Sequence, residues 1–281
     1  MMIVLTIVLL LFSGQEALRL PSVVIAPAQF GVPKDYDLLK EALLARGHPK
    51  VEVAKLRRFD WLRITPSILT KDFWTGNLKP TPTLNFFYEG LDLAFEAVND
   101  VEVAIVGHSI GGWVARAYVA ERRVTVTKIV TLGTPHLAST DGLDQTRGLV
   151  DFINENYPAT AQVCCVAGNT STAFSFEDLL QKQPWHINRS PLLESLVALP
   201  SYVVLAGLAN DRNPFSIRGD GLIPIDSATL PPPCQAIIID ECHHSGFIPT
   251  ALDSILLPDT YEWYGSPSKL ELWAHALLSP P

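Results

Sequence analysis

A serine flanked by glycines, Gly107-His108-Ser109-Ile110-Gly111, lies between an apolar run ending at Val106 and a helical pattern beginning at Ile110. Strand, tight turn and helix in succession are the setting of a nucleophile elbow, where the serine backbone is strained and flanking side chains would collide. Ser109 would then present its hydroxyl above a sheet, at the positive end of the following helix, where developing negative charge is stabilised. The alternative is a glycine-rich turn with a capping serine, but capping requires neither a second glycine nor the partners that follow in this chain. A serine hydroxyl needs a base to take its proton and an acid to orient that base. The loop Gly219-Asp220-Gly221-Leu222-Ile223-Pro224 supplies the candidate acid, Asp220, with Asp211 as its competitor. Glu241-Cys242-His243-His244-Ser245-Gly246 supplies two imidazoles, of which His244 is preferred to His243 as the base. For the oxyanion, the backbone N–H of Ile110 is one donor, and the turn Pro27-Ala28-Gln29 offers a second, assigned to Gln29. His136 is read as structural or pocket-lining. The chemistry of such a set is acyl transfer to water through an acyl-enzyme, with no metal and no organic cofactor. Adjacent histidines on extended chain diverge, and no third ligand stands at a metal-binding spacing.

Those residues need a frame, and the periodicity of the chain predicts one. Ser22-Val23-Val24-Ile25-Ala26 reads as a buried strand, followed by a turn over 27–31 and a helix over 35–46. That helix would carry Leu38, Leu39, Leu43 and Leu44 on one face and close at Gly47. A strand over 51–56, an aromatic, proline-bearing loop over 59–82 with Trp61 and Trp74, and a helix over 84–98 come next. Strand 101–106, helix 110–120 and strand 127–132 follow. Between 135 and 202 the rhythm loosens into an insertion above the sheet or a strand with long excursions. It holds an apolar run at 163–167, Trp185 and a helix near 191–199. Strands over 202–206 and 235–239 and a helix over 269–278 complete the pattern. Strands alternating with helices predict an α/β fold with a mostly parallel sheet covered on both faces.

The chain has 281 residues, 48% hydrophobic and 18% charged, enough to bury a sizeable core as one domain, with no repeat or long linker. A net charge of -8 opposes nucleic-acid binding, and the pairs Arg57-Arg58 and Arg122-Arg123 read as solvated faces. Residues 2–12 (MIVLTIVLLLF) are too few to span a bilayer and are read as a secretory or targeting signal, ahead of a buried first strand as the alternative. Residues 1–20 are thus set apart from a single domain over 21–281, in which 136–201 is expected to form a cap or lid. The location implied is the secretory pathway or an organelle such as the plastid. Two sequons, at Asn169 and Asn188, agree with a secretory route. Cys164, Cys165, Cys234 and Cys242 have neither zinc-finger spacing nor disulfide-scaffold density and read as buried thiols. On a strand Cys164 and Cys165 point to opposite faces, so that at most one is expected to pack inward.

Three segments together, Gly107-His108-Ser109-Ile110-Gly111-Gly112, Leu132-Gly133-Thr134-Pro135-His136 and Gly219-Asp220-Gly221-Leu222-Ile223-Pro224, resemble the lipase-type α/β-hydrolases and their GPI inositol-deacylase-like group. Asp60-Trp61-Leu62-Arg63, His244-Ser245, Trp263-Tyr264-Gly265-Ser266-Pro267 and Glu271-Leu272-Trp273 are similar to the uncharacterised α/β-hydrolases of plants and cyanobacteria. The resemblance implies an α/β-hydrolase fold with an insertion after the strand ending at Leu132. It also implies a base in the His-Ser pair, which supports His244. The first turn departs from the family's Pro-Gly-x-Gly, with Ala28 and Gln29 in place of the first glycine and its neighbour. The activity implied is hydrolysis of a carboxylic ester, a lipid or other hydrophobic ester. The same triad would serve an acyltransferase or thioesterase, and the same fold a non-catalytic binding protein. Phe73, Trp74, Phe86, Phe87, Tyr88 and Trp185 are divided between pocket and core, with core favoured. Peripheral contact with a membrane fits such a substrate; no nucleic acid is expected as a partner.

Overall fold

The computed structural model describes residues 19–137, 144–172, 217–250, 252–259 and 261–278. Six strands form one parallel sheet: β1 (Ser22–Ala26), β2 (Val51–Val53), β3 (Val103–His108), β4 (Ile129–Leu132), β5 (Val163–Asn169) and β8 (Gln235–Asp240). Their order is β2-β1-β3-β4-β5-β8. β6 (Ser171–Thr172) pairs antiparallel with β7 (Arg218–Gly219), and β9 (Phe247–Pro249) with β10 (Ser254–Leu256). Among the described residues, five α-helices of seven residues or more accompany them: α1 (Asp37–Ala45), α2 (Asn85–Val98), α3 (Ile110–Arg122), α4 (Leu149–Asn156) and α5 (Pro267–Trp273). The sheet is covered on both faces, as an α/β-hydrolase fold requires.

The β-branched, wholly buried strands β1, β3 and β4 explain why the sheet is parallel and central. Val24, Ile105, Ile129 and Cys165 face a core completed by Phe87, Leu91 and Ala94 of α2 and by Trp113 and Tyr118 of α3. Val23, Ile25, Val106, Val130 and Cys164 face the opposite core, closed by Leu39 and Leu43 of α1 and by Leu270 and Trp273 of α5. Cys164 and Cys165 therefore both pack inward: with two covered faces, opposite directions are equally buried, which corrects the expectation that only one would be. All four cysteines are free thiols, and Cys234 alone is partly exposed. Of the α1 leucines, only Leu39 and Leu43 are buried in the core, while Leu38 and Leu44 are exposed. At about 100° per residue the four leucines spread over about 240° of the helix, more than one face can bury, so the outer pair, Leu38 and Leu44, falls outside the contact.

The expected aromatic loop over 59–82 is helical instead. Short helical turns at Arg58–Ile64, Thr65–Ile68, Lys71–Thr75 and Pro80–Thr83 carry it across one end of the sheet. Arg58 is not solvated: its guanidinium forms a buried two-point pair with Asp35, 3.2 Å in each arm, and reaches Ser254 of β10. Of the stretch after β4, Val163–Asn169 enters the central sheet between β4 and β8, so this part is a strand and not a cap. Residues 2–12, the expected helix over 191–199, the expected strand over 202–206, Trp185, Asn188 and Asp211 lie outside the described residues.

Strand order reverses at β1, which has β2 on one side and β3 on the other. In open parallel sheets the crevice beyond the carboxyl ends of such strands is where ligands bind. The turn after β1 and the elbow after β3 meet there.

Candidate active site

Ser109 occupies the one residue between β3 and α3, with φ 55° and ψ -130°, a conformation that a non-glycine residue holds only under constraint from its surroundings. Space explains the glycines around it. A methyl group on Gly107 would strike the backbone of Gly111 and Gly112, and one on Gly111 would strike the carbonyl oxygens of Ala26 and Pro27. β1, β3 and α3 can therefore approach this closely only with glycine at both positions. Ser109 is bonded through its N–H to the Leu132 carbonyl at 2.8 Å. Its side chain borders a cavity of about 570 Å³.

Asp220 and His244 are brought together. The carboxylate Oδ2 of Asp220 lies 2.7 Å from Nδ1 of His244. Oδ1 accepts from the N–H groups of Leu222 and Ile223 at 3.0 and 2.7 Å, and Oδ2 also accepts from the Tyr264 hydroxyl at 2.8 Å. Burial by itself raises this carboxyl. The adjacent His244 imidazole and its hydrogen bond, then the Ile223 N–H and the Tyr264 hydroxyl, outweigh it and hold the group below the usual carboxylate range. Gly133 and Gly168 keep clear the space that Asp220 and Tyr264 fill: a side-chain carbon on either would collide with both. His243 sits elsewhere, with its ring against Tyr261 at 4.8 Å between centroids and its N–H on the Glu262 carbonyl.

The two expected oxyanion donors meet at the same cavity. Ile110 is the first residue of α3, where a helix leaves its N–H without an intrahelical partner. Gln29 lies on the turn after β1, and Gln29, Ser109 and Ile110 all line the cavity. The N–H of the preceding Ala28 is committed to the Tyr36 hydroxyl at 2.7 Å. Phe30 takes a left-handed φ of 60°; its carbonyl accepts from Arg58 and its ring packs on Trp61. His136 is fully buried with Nε2 3.0 Å from the Thr131 hydroxyl, and burial followed by the nearby Arg116 charge lowers its pKa well below the ordinary value. It holds the Leu132-Gly133-Thr134-Pro135 segment in place, and Pro135, not His136, lines the cavity.

The cavity walls are mostly apolar. Trp61, Ile64, Ile68, Phe73, Leu84 and Trp113 line it, and its size is that of a small-molecule site. Of the aromatic candidates, Phe73 is at the cavity, Phe86, Phe87 and Tyr88 belong to the core, and Trp74 is exposed. Among the described residues there is no group of three or more His, Cys, Asp or Glu side chains arranged to hold a metal ion.

Three contributors escape a reading of sequence alone: Tyr36, Tyr264 and the imidazole of His108. Tyr264 belongs to a segment singled out by resemblance, Trp263-Tyr264-Gly265-Ser266-Pro267, but nothing in the segment says that its hydroxyl meets Asp220. Tyr36 and His108 carry no local signal, since their partners lie 72 and 136 residues away in the chain.

Residues 92–169, from within α2 through the elbow to the end of β5, match the family described as PGAP1-like alpha/beta domain. No curated protein matches the chain. Among solved structures, lipase 1 from Pelosinus fermentans aligns at 12% identity with a TM-score of 0.43, over 90% of this chain and 98% of that one. The lin2722 gene product of Listeria innocua aligns at 15% identity with a TM-score of 0.31, over 54% and 71%. Strand order, elbow and the matched segment make this an α/β-hydrolase-fold chain whose elbow region is related to the PGAP1-like alpha/beta domain.

Proposed function

We propose that this chain is a serine hydrolase that cleaves a carboxylic ester of hydrophobic character, a lipid or similar ester, with Ser109, His244 and Asp220 as nucleophile, base and acid. The observation that carries the proposal is the strained elbow serine on an apolar cavity, at the same sheet edge as a buried Asp220–His244 pair. With Nδ1–H donated to the carboxylate, Nε2 of His244 keeps its lone pair and is free to take the Ser109 proton. The serine oxygen attacks the ester carbonyl, and the oxyanion is held by the N–H groups of Ile110 and Gln29. His244 returns the proton to the leaving alcohol, and water repeats the sequence on the acyl-enzyme.

A hydrophobic substrate is favoured by the cavity walls and by what surrounds them. The short helical turns that give Ile64, Ile68 and Phe73 to the cavity also expose Leu62, Leu69 and Trp74. Peripheral contact with a lipid surface fits this face. No helix among the described residues is long and apolar enough to cross a membrane. The finer likeness to the plant and cyanobacterial hydrolases rests on sequence segments such as Trp263–Pro267 alone.

Labelling with a fluorophosphonate, together with hydrolysis of p-nitrophenyl esters of increasing acyl length, tests the proposal. Wild-type protein is expected to label at Ser109 and turn over. Ser109→Ala is expected to lose both, with at least ~10³-fold lower kcat. Full activity in Ser109→Ala overturns the assignment, and absence of native labelling favours a binding protein.

A further inference from the structure

We infer that His108, with Tyr36 behind it, is a positioning residue that sets the register between the nucleophile and the base. The inference rests on the proposed roles of Ser109 and His244. His108 precedes Ser109 in the chain, and its Nε2 lies 2.8 Å from the backbone carbonyl of His244. A carbonyl can only accept, so Nε2 carries the proton. Nδ1 lies 2.8 Å from the Tyr36 hydroxyl, which itself accepts from the Ala28 N–H at 2.7 Å. The donors therefore run one way, from Ala28 N–H to Tyr36 Oη, from Tyr36 O–H to His108 Nδ1, and from His108 Nε2–H to the His244 carbonyl. Both side chains are fully buried, and burial, then the nearby His244, pushes the His108 imidazole down to about 3. Burial also raises the Tyr36 phenol, so this donor stays protonated.

The consequence is geometric. The His244 N–H donates to the Asp220 carbonyl at 2.8 Å, and the His244 carbonyl accepts from His108, so the peptides on both sides of the base are pinned. One pin comes from the loop of the proposed acid, the other from the elbow itself. The same chain reaches back to Ala28, next to the proposed oxyanion donor Gln29. A rigid link of this kind matters because a displacement of about 1 Å between reacting groups costs on the order of 10²-fold in rate. A packing role for His108 would ask only for volume; two directed bonds ask for this ring in this tautomer.

Two substitutions separate the bonds. His108→Asn keeps an acceptor near the Nδ1 position for Tyr36 but offers no donor that reaches the His244 carbonyl. His108→Gln extends an amide N–H to that carbonyl and gives up the Tyr36 contact. Expected is a kcat about 10- to 100-fold lower in His108→Asn with KM changed less than about twofold, and recovery in His108→Gln to within about fivefold of wild type. Nitrogen-15 NMR of the histidines adds a readout independent of turnover. His108 should be the neutral Nε2–H tautomer, and the Nδ1–H resonance of His244 should move in His108→Asn but not in His108→Gln. If His108→Asn does not fold, Tyr36→Phe breaks the chain one link earlier and should lower kcat about three- to tenfold at constant KM. Wild-type kcat with an unmoved His244 resonance in the asparagine variant, or equal losses in both variants that track Tm, overturns the inference. So does an Nδ1–H tautomer at His108. Failure of wild type to label at Ser109 sinks the hydrolase proposal separately, and the His244 resonance alone then decides the positioning role.

Discussion

The Asp220 carboxylate is buried where an unpaired charge costs several kcal/mol, and it persists because every oxygen is occupied. Oδ1 takes two backbone N–H groups, Oδ2 the Tyr264 hydroxyl and the His244 imidazole. Asp220→Asn leaves room for nearly the same contacts but replaces the Oδ2 acceptor by an amide that can stabilise the wrong His244 tautomer. We expect ester hydrolysis to fall about 10³- to 10⁴-fold in kcat while fluorophosphonate labelling slows in proportion. Activity within tenfold of wild type would move the acid elsewhere, to Asp211 first. At this scale, the turn at Ser109 and the pairing of Asp220 with His244 were legible because each residue sits in a short glycine- or histidine-bearing segment of recognisable form. Tyr36, Tyr264 and the His108 ring were not, because their task is a hydrogen bond to a residue remote in sequence, and a lone buried tyrosine or histidine has many ways to be satisfied.

Elements meet at the elbow by backbone-to-backbone approach, and there the tolerance is smallest. Gly111 has no unusual backbone angle to defend; it is required by the carbonyls of Ala26 and Pro27 at the end of β1. Gly111→Ala must therefore push α3 away from β1. We expect it to cost about 3 kcal/mol or more, seen as a Tm lowered by several degrees, and to open the proposed oxyanion site on the way. An alanine variant with wild-type Tm and activity would contradict the close approach. Strands β1, β2, β3, β4 and β8 and helices α2 and α3 were readable from apolar runs and spacing, whereas β5 was hidden in a stretch expected to form a cap. The short turns over 58–83 were not readable, for each is four to seven residues long, too short to show a helical period, and Pro66 and Pro80 at helix starts read in sequence as loop markers. The leucines of α1 misled because four of them spread over about 240° of a helix that buries one narrower face.

Among the described residues, three buried histidines, His48, His108 and His136, are each held below the ordinary imidazole pKa, burial being the largest cause in every case. The unfolded chain binds protons on these rings near pH 6.5 and the folded chain does not. Stability is therefore fully present above about pH 6.5 and is lost as pH falls toward the folded values, by up to about 1.4 kcal/mol per pH unit for each ring that differs. The depressed Asp220 carboxyl adds to the loss near its ordinary range, around pH 4. Urea denaturation at pH 7, 6 and 5 should show a steadily falling midpoint, and His108→Gln should flatten the slope; a midpoint independent of pH over this range would contradict the buried neutral state. The two-sided core has another consequence, for the chemistry of sulfur. Cys164 and Cys165 are neighbours in sequence yet lie in separate cores, and burial raises both thiols, the first to about 11. Neither can meet an alkylating or oxidising reagent without opening its own face of the sheet. Their rates of modification thus time the exposure of the two halves of the core separately, a pair of internal clocks set one residue apart.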